Sequence, residues 1–375
     1  MKKILIIISN FEMGGTLASL NNLLSVFDVK EVKVDVFALS QKGDFYGRLP
    51  NCTILDENMW LSHTIYHRSP LVKAFAKIRL VMRKLFECVG LDLYTLYNYI
   101  GGKQIHSDDY DAVIGYDETM ARIICRYPAK KRINWIHCDY RRYAQGKNET
   151  KYYDRIDEVV CVSEFAKKVF TDIYPQYKGK VKAIHNVINV EMITQKAKEA
   201  IGDERFVTDR YTIISCGRLD PVKQFSKIPS IAARVTEQHQ LSFRWYIIGN
   251  GDEVEKSAIE TEIESNGVAD EVIMLGMKSN PYPYLAKANL YVCTSVSESF
   301  PMVVNEAKAL CIPVVSNDFP SVKESLSDSI DGYVCTIDEM AHVIVKAAQK
   351  IWVLDSTYYR EHNTRIVEEV NALLT

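Results

Sequence analysis

The sequence predicts an α/β protein with two doubly wound parallel sheets. Short apolar runs alternate with amphipathic segments through most of the 375 residues, which is the pattern of strands buried on both faces between helices. The alternation restarts after a polar segment at 192–210, so it occurs twice. The charge balance changes sign near the same place. Residues 1–189 carry 28 Lys and Arg against 21 Asp and Glu, a net +7, whereas residues 190–375 carry 18 against 27, a net −9.

The elements follow in order along the chain. In the first half we predict strands at KILIIIS, VKVDVFAL, DAVIGY, RINWIHC and EVVCVS, with a helix at TLASLNNLLSVF. In the second half we predict strands at YTIISCG, RWYIIGNG, EVIMLG, LYVCTS, IPVVSN and GYVCT. The predicted domains are residues 1–188 and 189–355, followed by a C-terminal helix over 356–375 that is a candidate to pack back on the first domain.

Composition excludes several classes of protein. No run of Lys and Arg is long or interleaved with aromatic residues, which argues against nucleic-acid binding. The nine cysteines are irregularly spaced, and five of them lie in apolar stretches, which indicates reduced, buried thiols in a cytosolic protein. These five are Cys138, Cys161, Cys216, Cys293 and Cys311. The apolar run in MKKILIIISNFEMGG is too short for a signal peptide, and no run is long enough to span a membrane.

The segment 69–90 has two interpretations. Its apolar residues recur at helical spacing and basic residues lie among them. The basic residues are Lys73, Lys77, Arg79, Arg83 and Lys84. A basic amphipathic helix can lie on an anionic membrane, but an ordinary surface helix with a solvated basic face is the more common meaning of this pattern.

Three glycine-rich or basic turns follow predicted strands. Gly14 and Gly15 precede a helix, where backbone can approach an anion closely. Arg218 and Lys223, in CGRLDPVKQF, could converge on a diphosphate or form a salt-bridged surface loop. Gly249, in IIGNGDE, marks a turn with little chemical content of its own.

The segment SESFPMVVNE, residues 297–306, places two carboxylates around a predicted helix start. Glu298 falls in a turn after a strand, and Glu306 falls about two turns into the helix that Pro301 begins. A carboxylate is a natural acceptor for paired sugar hydroxyls, and the amides of the first helical turn can donate to a ligand. The alternative, with no ligand-binding role, is a surface loop followed by a helix with one exposed acidic residue.

The ordered set of these motifs resembles the retaining glycosyltransferases of family 4, which have the GT-B fold. The motifs are CGRLDPVKQF, WYIIGNGDE, the segment from NPYPYL to VVSND, and VKESL, each after a predicted strand. The resemblance covers residues 211–330 closely and the first half more loosely. It implies two Rossmann-like domains facing across a cleft, with the nucleotide-diphospho-sugar bound mainly by the second.

The resemblance also implies a role for each matching residue. Arg218 and Lys223 would neutralise the diphosphate, Glu306 would bind the ribose, and Glu298 would bind the transferred sugar. The catalytic residues implied are His137, Glu298, Arg218 and Lys223. The donor-binding residues implied are Gly14, Gly15, Arg218, Lys223, Gly249, Glu298, Ser299, Phe300, Met302, Val303 and Glu306. Ser299 replaces the glycine usual in the family, while Ser163, Glu164 and Asn186 match family positions beside the cleft or at the hinge.

The function expected from this resemblance is transfer of a hexose or N-acetylhexosamine. The donor would be a nucleotide-diphospho-sugar, with UDP favoured by analogy, and no metal or other cofactor would be needed. The acceptor would be a glycan, expected to be lipid-linked, in capsule, O-antigen or exopolysaccharide synthesis. The protein would be cytoplasmic, with peripheral contact to the inner face of an anionic membrane as one option. Two alternatives stay open: a non-catalytic partner of an active transferase, and a nucleotide-sugar epimerase of the same architecture.

Overall fold

The computed structural model describes residues 1–12, 14–43, 45–62, 70–88, 93–145, 147–238 and 241–374, apart from eight side chains at 72, 76, 83, 84, 87, 88, 94 and 95. The chain divides into two compact units. Unit 1 comprises residues 1–187 and 364–375, and unit 2 comprises residues 188–363. Each unit contains one parallel sheet, so the predicted α/β class with two Rossmann-like sheets is confirmed.

The sheet of unit 1 has seven parallel strands in the order β3-β2-β1-β4-β5-β6-β7. The strands are β1 (Lys2–Ile8), β2 (Val32–Ala38), β3 (Cys52–Ile54), β4 (Ala112–Gly115), β5 (Arg132–Ile136), β6 (Glu158–Cys161) and β7 (Val181–Ala183). The sequence pattern missed β3 and β7, because three residues are too few to show a strand period. The order reverses between β1 and β4, which makes their carboxyl ends the switch point of the sheet, where ligands of such folds bind.

Helices alternate with the strands of unit 1. They are α1 (Gly15–Val26), α2 (Pro70–Cys88), α3 (Leu93–Gln104), α4 (Ala121–Ile124), α5 (Tyr140–Tyr143), α6 (Thr150–Tyr153) and α7 (Glu164–Ile173). The helix predicted within 69–90 is therefore observed as α2. The last helix, α14 (Tyr358–Leu373), ends in unit 1, where Lys131 Nζ donates to the carbonyl of Leu373 at 2.6 Å. A cation at this position complements the negative end of the helix dipole.

Unit 2 has six parallel strands in the order β10-β9-β8-β11-β12-β13. The strands are β8 (Tyr211–Cys216), β9 (Phe243–Ile248), β10 (Val272–Gly276), β11 (Leu290–Cys293), β12 (Val314–Asn317) and β13 (Gly332–Cys335). The helices are α8 (Val190–Lys196), α9 (Ile228–Glu237), α10 (Glu253–Ser265), α11 (Tyr282–Leu285), α12 (Met302–Ala309) and α13 (Met340–Ala348). All six strands match the predicted runs, because fully buried apolar runs are the strongest strand signal in this chain.

A hydrogen-bond chain crosses the middle of the unit 2 sheet. The indole Nε1 of Trp245 in β9 donates to Ser215 Oγ in β8 at 3.0 Å, and Ser215 Oγ donates to the carbonyl of Val292 in β11 at 2.6 Å. Both polar side chains are fully buried. These two hydrogen bonds link β9, β8 and β11, the three strands around the switch point between β8 and β11.

The cysteine prediction is only partly right. Cys161 and Cys293 are buried, and Cys138 and Cys216 are half-buried, but Cys311 is exposed. Cys311 has a φ of 57°, because it turns the chain out of α12 into the following strand. Among the described residues, no helix is both long and apolar enough to cross a bilayer.

In unit 1, the buried side chain of Asn134 joins β5 to the end of β4 and to α6. Its Nδ2 donates to the carbonyls of Gly115 at 3.1 Å and Asp117 at 2.8 Å, and its Oδ1 accepts from Tyr153 Oη at 3.1 Å.

We expect Asn134→Ala to lower the free energy of unfolding by about 2–4 kcal/mol, because it leaves buried polar groups unpaired. Denaturant unfolding measures the change. Asn148→Ala, at an exposed turn of the same unit, should cost about 1 kcal/mol or less, and equal losses in the two variants would contradict this account.

Candidate active site

The loops after β8 and β11 lie side by side at the switch point of the unit 2 sheet. The amide of Val296 donates to the carbonyl of Val222 at 2.9 Å, and Thr294 Oγ1 donates to the carbonyl of Lys223 at 2.6 Å. Because β8 and β11 are neighbours in the sheet, their carboxyl ends deliver both loops to one edge. The two segments that the sequence singled out separately are therefore joined.

An ion pair between Lys223 and Glu298 forms the centre of this site. Lys223 Nζ lies 2.5 Å from Glu298 Oε1, and the two side chains are only 23% and 17% exposed. Burial by itself lowers the pKa of Lys223, but the nearby Glu298 carboxylate outweighs this effect, so the pKa is raised above its ordinary value. The lysine is thus held as a cation at the strand end.

Two serines fix the position of Glu298. Ser295 Oγ donates to the carboxylate at 2.7 Å, and Ser321 Oγ donates to the backbone carbonyl of the same residue at 2.6 Å. Both serines are buried. Glu298 is therefore held by its side chain and its backbone, which leaves it little freedom to turn away from the site.

Arg218 is the most accessible charge of the β8 loop. Its side chain is 79% exposed, and its Nε lies 2.9 Å from Asp220 Oδ2. Asp220 also accepts from the amides of Val222 at 3.0 Å and Lys223 at 3.2 Å, so it caps the loop. The guanidinium therefore keeps donors available to a ligand while its carboxylate partner shapes the loop.

Gly249 has a structural role that the sequence pattern did not show. A Cβ at this position would lie 1.8 Å from the carbonyl oxygen of Gly217, and one at Gly251 would lie 2.1 Å from that of Leu219. The amide of Leu219 donates to the carbonyl of Asn250 at 2.9 Å. The glycine turn after β9 thus positions the β8 loop by direct backbone contact.

Helix α12 begins at Met302, directly after Pro301, as predicted. Ser299 and Phe300 are buried just before it, and Met302 and Val303 are half-buried in its first turn. The first turn presents the positive end of the helix dipole at the strand edge. The predicted donor-binding residues of this segment therefore share one turn, although their roles stay predictions.

Glu306 lies one turn into α12 rather than the predicted two, and it is buried. Tyr282 Oη donates to Glu306 Oε1 at 3.1 Å. Burial raises the pKa of the Glu306 carboxyl from 4.5 to about 7, although the Tyr282 hydrogen bond and the charge of Lys196 oppose the shift. Near neutral pH this carboxyl can therefore accept or donate a hydrogen bond.

In unit 1, Gly14 and Gly15 lie at the start of α1 with open space around them, since a Cβ on either would meet no atom within 4 Å. His137 follows β5, and its ring centroid lies 4.7 Å from that of Tyr116, with the two rings tilted by 46°. Burial lowers the pKa of His137 to about 3, so the imidazole is neutral, and its Nε2 has no hydrogen-bond partner among the described residues. The predicted roles of these residues are untested by this geometry.

Ser163 and Asn186 are both buried, with different surroundings. Ser163 caps helix α7, where its Oγ accepts from the amide of Ala166 at 3.0 Å, and Glu164 begins that helix. Asn186 directly precedes Val187, whose carbonyl accepts from Asn22 Nδ2 at 3.1 Å. Ser163 thus has a clear structural function, whatever else it contacts.

Glu118 is a candidate that the sequence reasoning missed. It follows β4 and is half-buried, and burial raises the pKa of its carboxyl, while hydrogen bonds from the Cys138 thiol and the His137 amide oppose the shift. It therefore lies beside His137 at the strand edge. The available signal was an acidic pair, Asp117 and Glu118, directly after a buried strand.

The comparisons with known proteins agree with the motifs. Residues 196–367 match the family model described as "Glycosyl transferases group 1". The resemblance to glycosyltransferases is therefore confirmed, and the matched segment contains the Lys223–Glu298 site.

Two curated relatives align with part of the chain. An uncharacterized glycosyltransferase, MJ1059 of Methanocaldococcus jannaschii, is 29% identical over 170 residues, which are 44% of this chain and 41% of the relative. The N-acetylgalactosamine-N,N'-diacetylbacillosaminyl-diphospho-undecaprenol 4-alpha-N-acetylgalactosaminyltransferase of Campylobacter jejuni is 32% identical over 160 residues, which are 42% of this chain and 41% of the relative. The alignments thus span less than half of either relative.

The solved structures extend the similarity in fold to nearly the whole chain. Anabaena Alr3699/HepE, crystallised with UDP-glucose, has a TM-score of 0.67 and 15% identity, with 99% of this chain and 100% of that chain covered. At this identity the match establishes the fold alone. The predicted GT-B class is therefore confirmed.

The glycine support of the β8 loop can be tested by Gly249→Ala. We expect the free energy of unfolding to fall by about 3 kcal/mol, because the new Cβ would overlap the Gly217 carbonyl and force the backbone apart. Denaturant unfolding measures the loss. Gly202→Ala, where a Cβ would meet open space, is the control and should change stability by less than about 1 kcal/mol. A tolerated Gly249→Ala would show that the loop does not depend on this contact.

The buried Glu306 carboxyl should make stability depend on pH. Its pKa is raised on folding, so the folded protein binds the proton more tightly, and the free energy of unfolding should fall as pH rises from about 4.5 through 7. Glu306→Gln should remove this contribution and gain on the order of 2–3 kcal/mol relative to wild type between pH 4.5 and 8. Unfolding at the two pH values measures it, with Glu260→Gln on the exposed face of α10 as the control. A Glu306→Gln curve parallel to wild type would argue against a raised pKa.

Proposed function

We propose that this chain, whose residues 196–367 match the group 1 glycosyl transferases, is a retaining glycosyltransferase acting in surface polysaccharide synthesis. It would move a hexose or N-acetylhexosamine from a nucleotide-diphospho-sugar, most simply a UDP-sugar, to a glycan acceptor. The observation that carries the proposal is the half-buried Lys223–Glu298 pair at the switch point of unit 2, followed along the chain by the buried Glu306 one turn into α12.

The charges at this site fit a diphosphate next to a sugar. Arg218 contributes an exposed guanidinium and Lys223 a held ammonium, and both stand where two parallel strands end. In the unliganded protein Glu298 balances the lysine. A bound diphosphate would add its own negative charge beside Lys223 and leave Glu298 oxygens for sugar hydroxyls, while the buried Glu306 would meet the ribose.

The proposed chemistry needs charge stabilisation rather than a side-chain base. The bond between the anomeric carbon and the diphosphate oxygen breaks, and the acceptor oxygen forms its bond on the same face of the sugar. The acceptor proton passes to the departing diphosphate. Arg218 and Lys223 would stabilise the negative charge that develops on this leaving group, so the reaction would proceed without a metal ion.

A lipid-linked glycan is the proposed acceptor. The Campylobacter jejuni relative is named for an acceptor on diphospho-undecaprenol, and the Anabaena structure was solved with UDP-glucose. Each of these statements concerns the relative, and together they support a UDP-sugar donor and an acceptor held at a membrane face as the first choices to test. The proposed location is therefore the cytoplasm, at the inner face of the cell membrane.

Thermal-shift measurements with UDP, GDP, ADP and their sugars test the donor site. In EDTA, we expect UDP or a UDP-sugar at about 100 times its Kd to stabilise the protein by about 2.7 kcal/mol and to raise the Tm by about 5 °C. Lys223→Ala and Arg218→Ala should abolish most of the shift. Lys287→Ala, an exposed cation of the same unit away from the site, should retain it.

The outcomes separate the candidate functions. Absence of a shift with any nucleotide would contradict the proposed donor site and favour a non-catalytic partner. A shift followed by sugar isomerisation without an acceptor would favour an epimerase. A shift with slow release of free sugar to water, and faster release of UDP with glycan-lipid extract, supports transfer.

A further inference from the structure

Asn305 of α12 has a buried side-chain amide with three hydrogen-bond partners. It is 3% exposed and directly precedes Glu306. Its Nδ2 donates to the carbonyl of Pro301 and to Ser325 Oγ, both at 3.0 Å, and its Oδ1 accepts from Tyr359 Oη at 3.0 Å. Because the amide donates twice and accepts once, its side chain is held in one orientation. Three segments therefore meet at this residue, inside the helix that carries Glu306.

The VKESL segment, residues 322–326, connects Asn305 to the loop that contains Glu298. Ser325, its fourth residue, is buried and accepts the hydrogen bond from Asn305. Ser321, directly before the segment, is also buried and donates to the backbone carbonyl of Glu298 at 2.6 Å. One short segment thus holds the loop before α12 and the body of α12 in a fixed relation to each other.

Tyr359, in the first turn of α14, completes the network. Its side chain is 1% exposed, and its hydroxyl donates the hydrogen bond to Asn305 Oδ1. Burial raises the pKa of Tyr359 well above its ordinary value, so the hydroxyl stays protonated and available as a donor. Without this hydroxyl the Asn305 carbonyl oxygen would be buried and lack its donor, which is unfavourable. The orientation of Asn305 therefore depends on Tyr359.

These polar groups fix an orientation more than they add stability. A buried hydrogen bond adds little net stability, because the same groups bond water in the unfolded chain, but its geometry is specific. The network fixes the start of α12, since the carbonyl of Pro301 also accepts from the backbone amide of Asn305 at 3.2 Å. The direction of the first-turn amides and the position of Glu306 both follow from how this helix begins.

We propose that Asn305, Ser325 and Tyr359 are positioning residues that set the orientation of α12 for the nucleotide-sugar donor. The inference deepens the proposed function and rests on it, since it concerns the same donor site. The three side chains act without contacting the donor, through the first turn of α12 and through Glu306. A weakened network lets α12 adopt other orientations, and the apparent donor affinity falls with the fraction of protein in the competent one.

Isothermal titration calorimetry of the full chain tests the proposal, at a temperature well below the Tm and with whichever of UDP, GDP and ADP stabilises wild type most. We expect Tyr359→Phe to raise the Kd roughly two- to tenfold, because one hydrogen bond that favours the competent orientation is lost. Asn305→Ala should raise the Kd at least as much, since it releases Pro301 and Ser325 together. Tyr358→Phe is the matched control, because it removes the hydroxyl of a neighbouring tyrosine that is 54% exposed, and it should leave the Kd unchanged.

The double variant shows whether Tyr359 acts through Asn305. We expect Tyr359→Phe combined with Asn305→Ala to bind the nucleotide as weakly as Asn305→Ala alone, because both changes disable one network. Losses that multiply in the double variant would contradict the proposal. If circular dichroism shows that Asn305→Ala does not fold, the Kd of Tyr359→Phe alone decides.

A purely structural role gives a different result. Tyr359→Phe would then lower the Tm and leave the Kd unchanged, which would overturn this inference while the donor site stood. In the free protein, amide hydrogen exchange over residues 302–309 should be faster in Tyr359→Phe than in wild type, and exchange in β9 should be unchanged. Equal exchange over 302–309 would also overturn the inference. A wild type that binds none of the three nucleotides would contradict the proposed function and this inference with it.

Discussion

The ion pair between Lys223 and Glu298 is the interaction on which the unit 2 site depends. Two largely buried charges are unfavourable alone, and each is stable here because the other lies 2.5 Å away. The pair also joins two loops whose sequence positions are 75 residues apart, so it serves as a structural clamp between them. Its surroundings are arranged to preserve it: Ser295 and Ser321 hold the glutamate, and Asp220 holds the backbone of the lysine.

Close backbone packing positions the clamp. The β8 loop contacts the turn after β9 at Gly217 and Gly249, where a Cβ on Gly249 would overlap the carbonyl of Gly217. Below that contact, the Trp245–Ser215–Val292 chain fixes β9, β8 and β11 to one another. Lys223 and Glu298 are therefore positioned by a continuous series of contacts that runs from the middle of the sheet to the ends of its strands. Such rigidity suits a site that must hold charge in place without the help of solvent.

Buried strands and the turns at their carboxyl ends were predictable from the sequence. Runs such as YTIISCG indicate buried parallel strands because both faces must be apolar, and Pro301 marks a helix start because its φ suits the first turn. The sequence alone could not predict that Lys223 contacts Glu298, because that contact depends on the order of the strands in the sheet. It also could not show whether Gly249 is needed for backbone packing or for contact with a ligand. Glu118 was missed because its environment is created by His137 and Cys138, which follow a different strand, β5. Cys311 was misplaced because an apolar neighbourhood in sequence does not reveal a left-handed turn.

The fully buried Trp245 has a spectroscopic consequence. Its indole donates to Ser215, whereas the indole of Trp135, fully buried in β5 of unit 1, has no hydrogen-bond partner among the described residues. Two chromophores in such different polar environments should emit at different wavelengths. With the tryptophans at 60 and 352 replaced by phenylalanine, the fluorescence of this chain would follow each sheet separately and resolve whether the two units melt together or in turn.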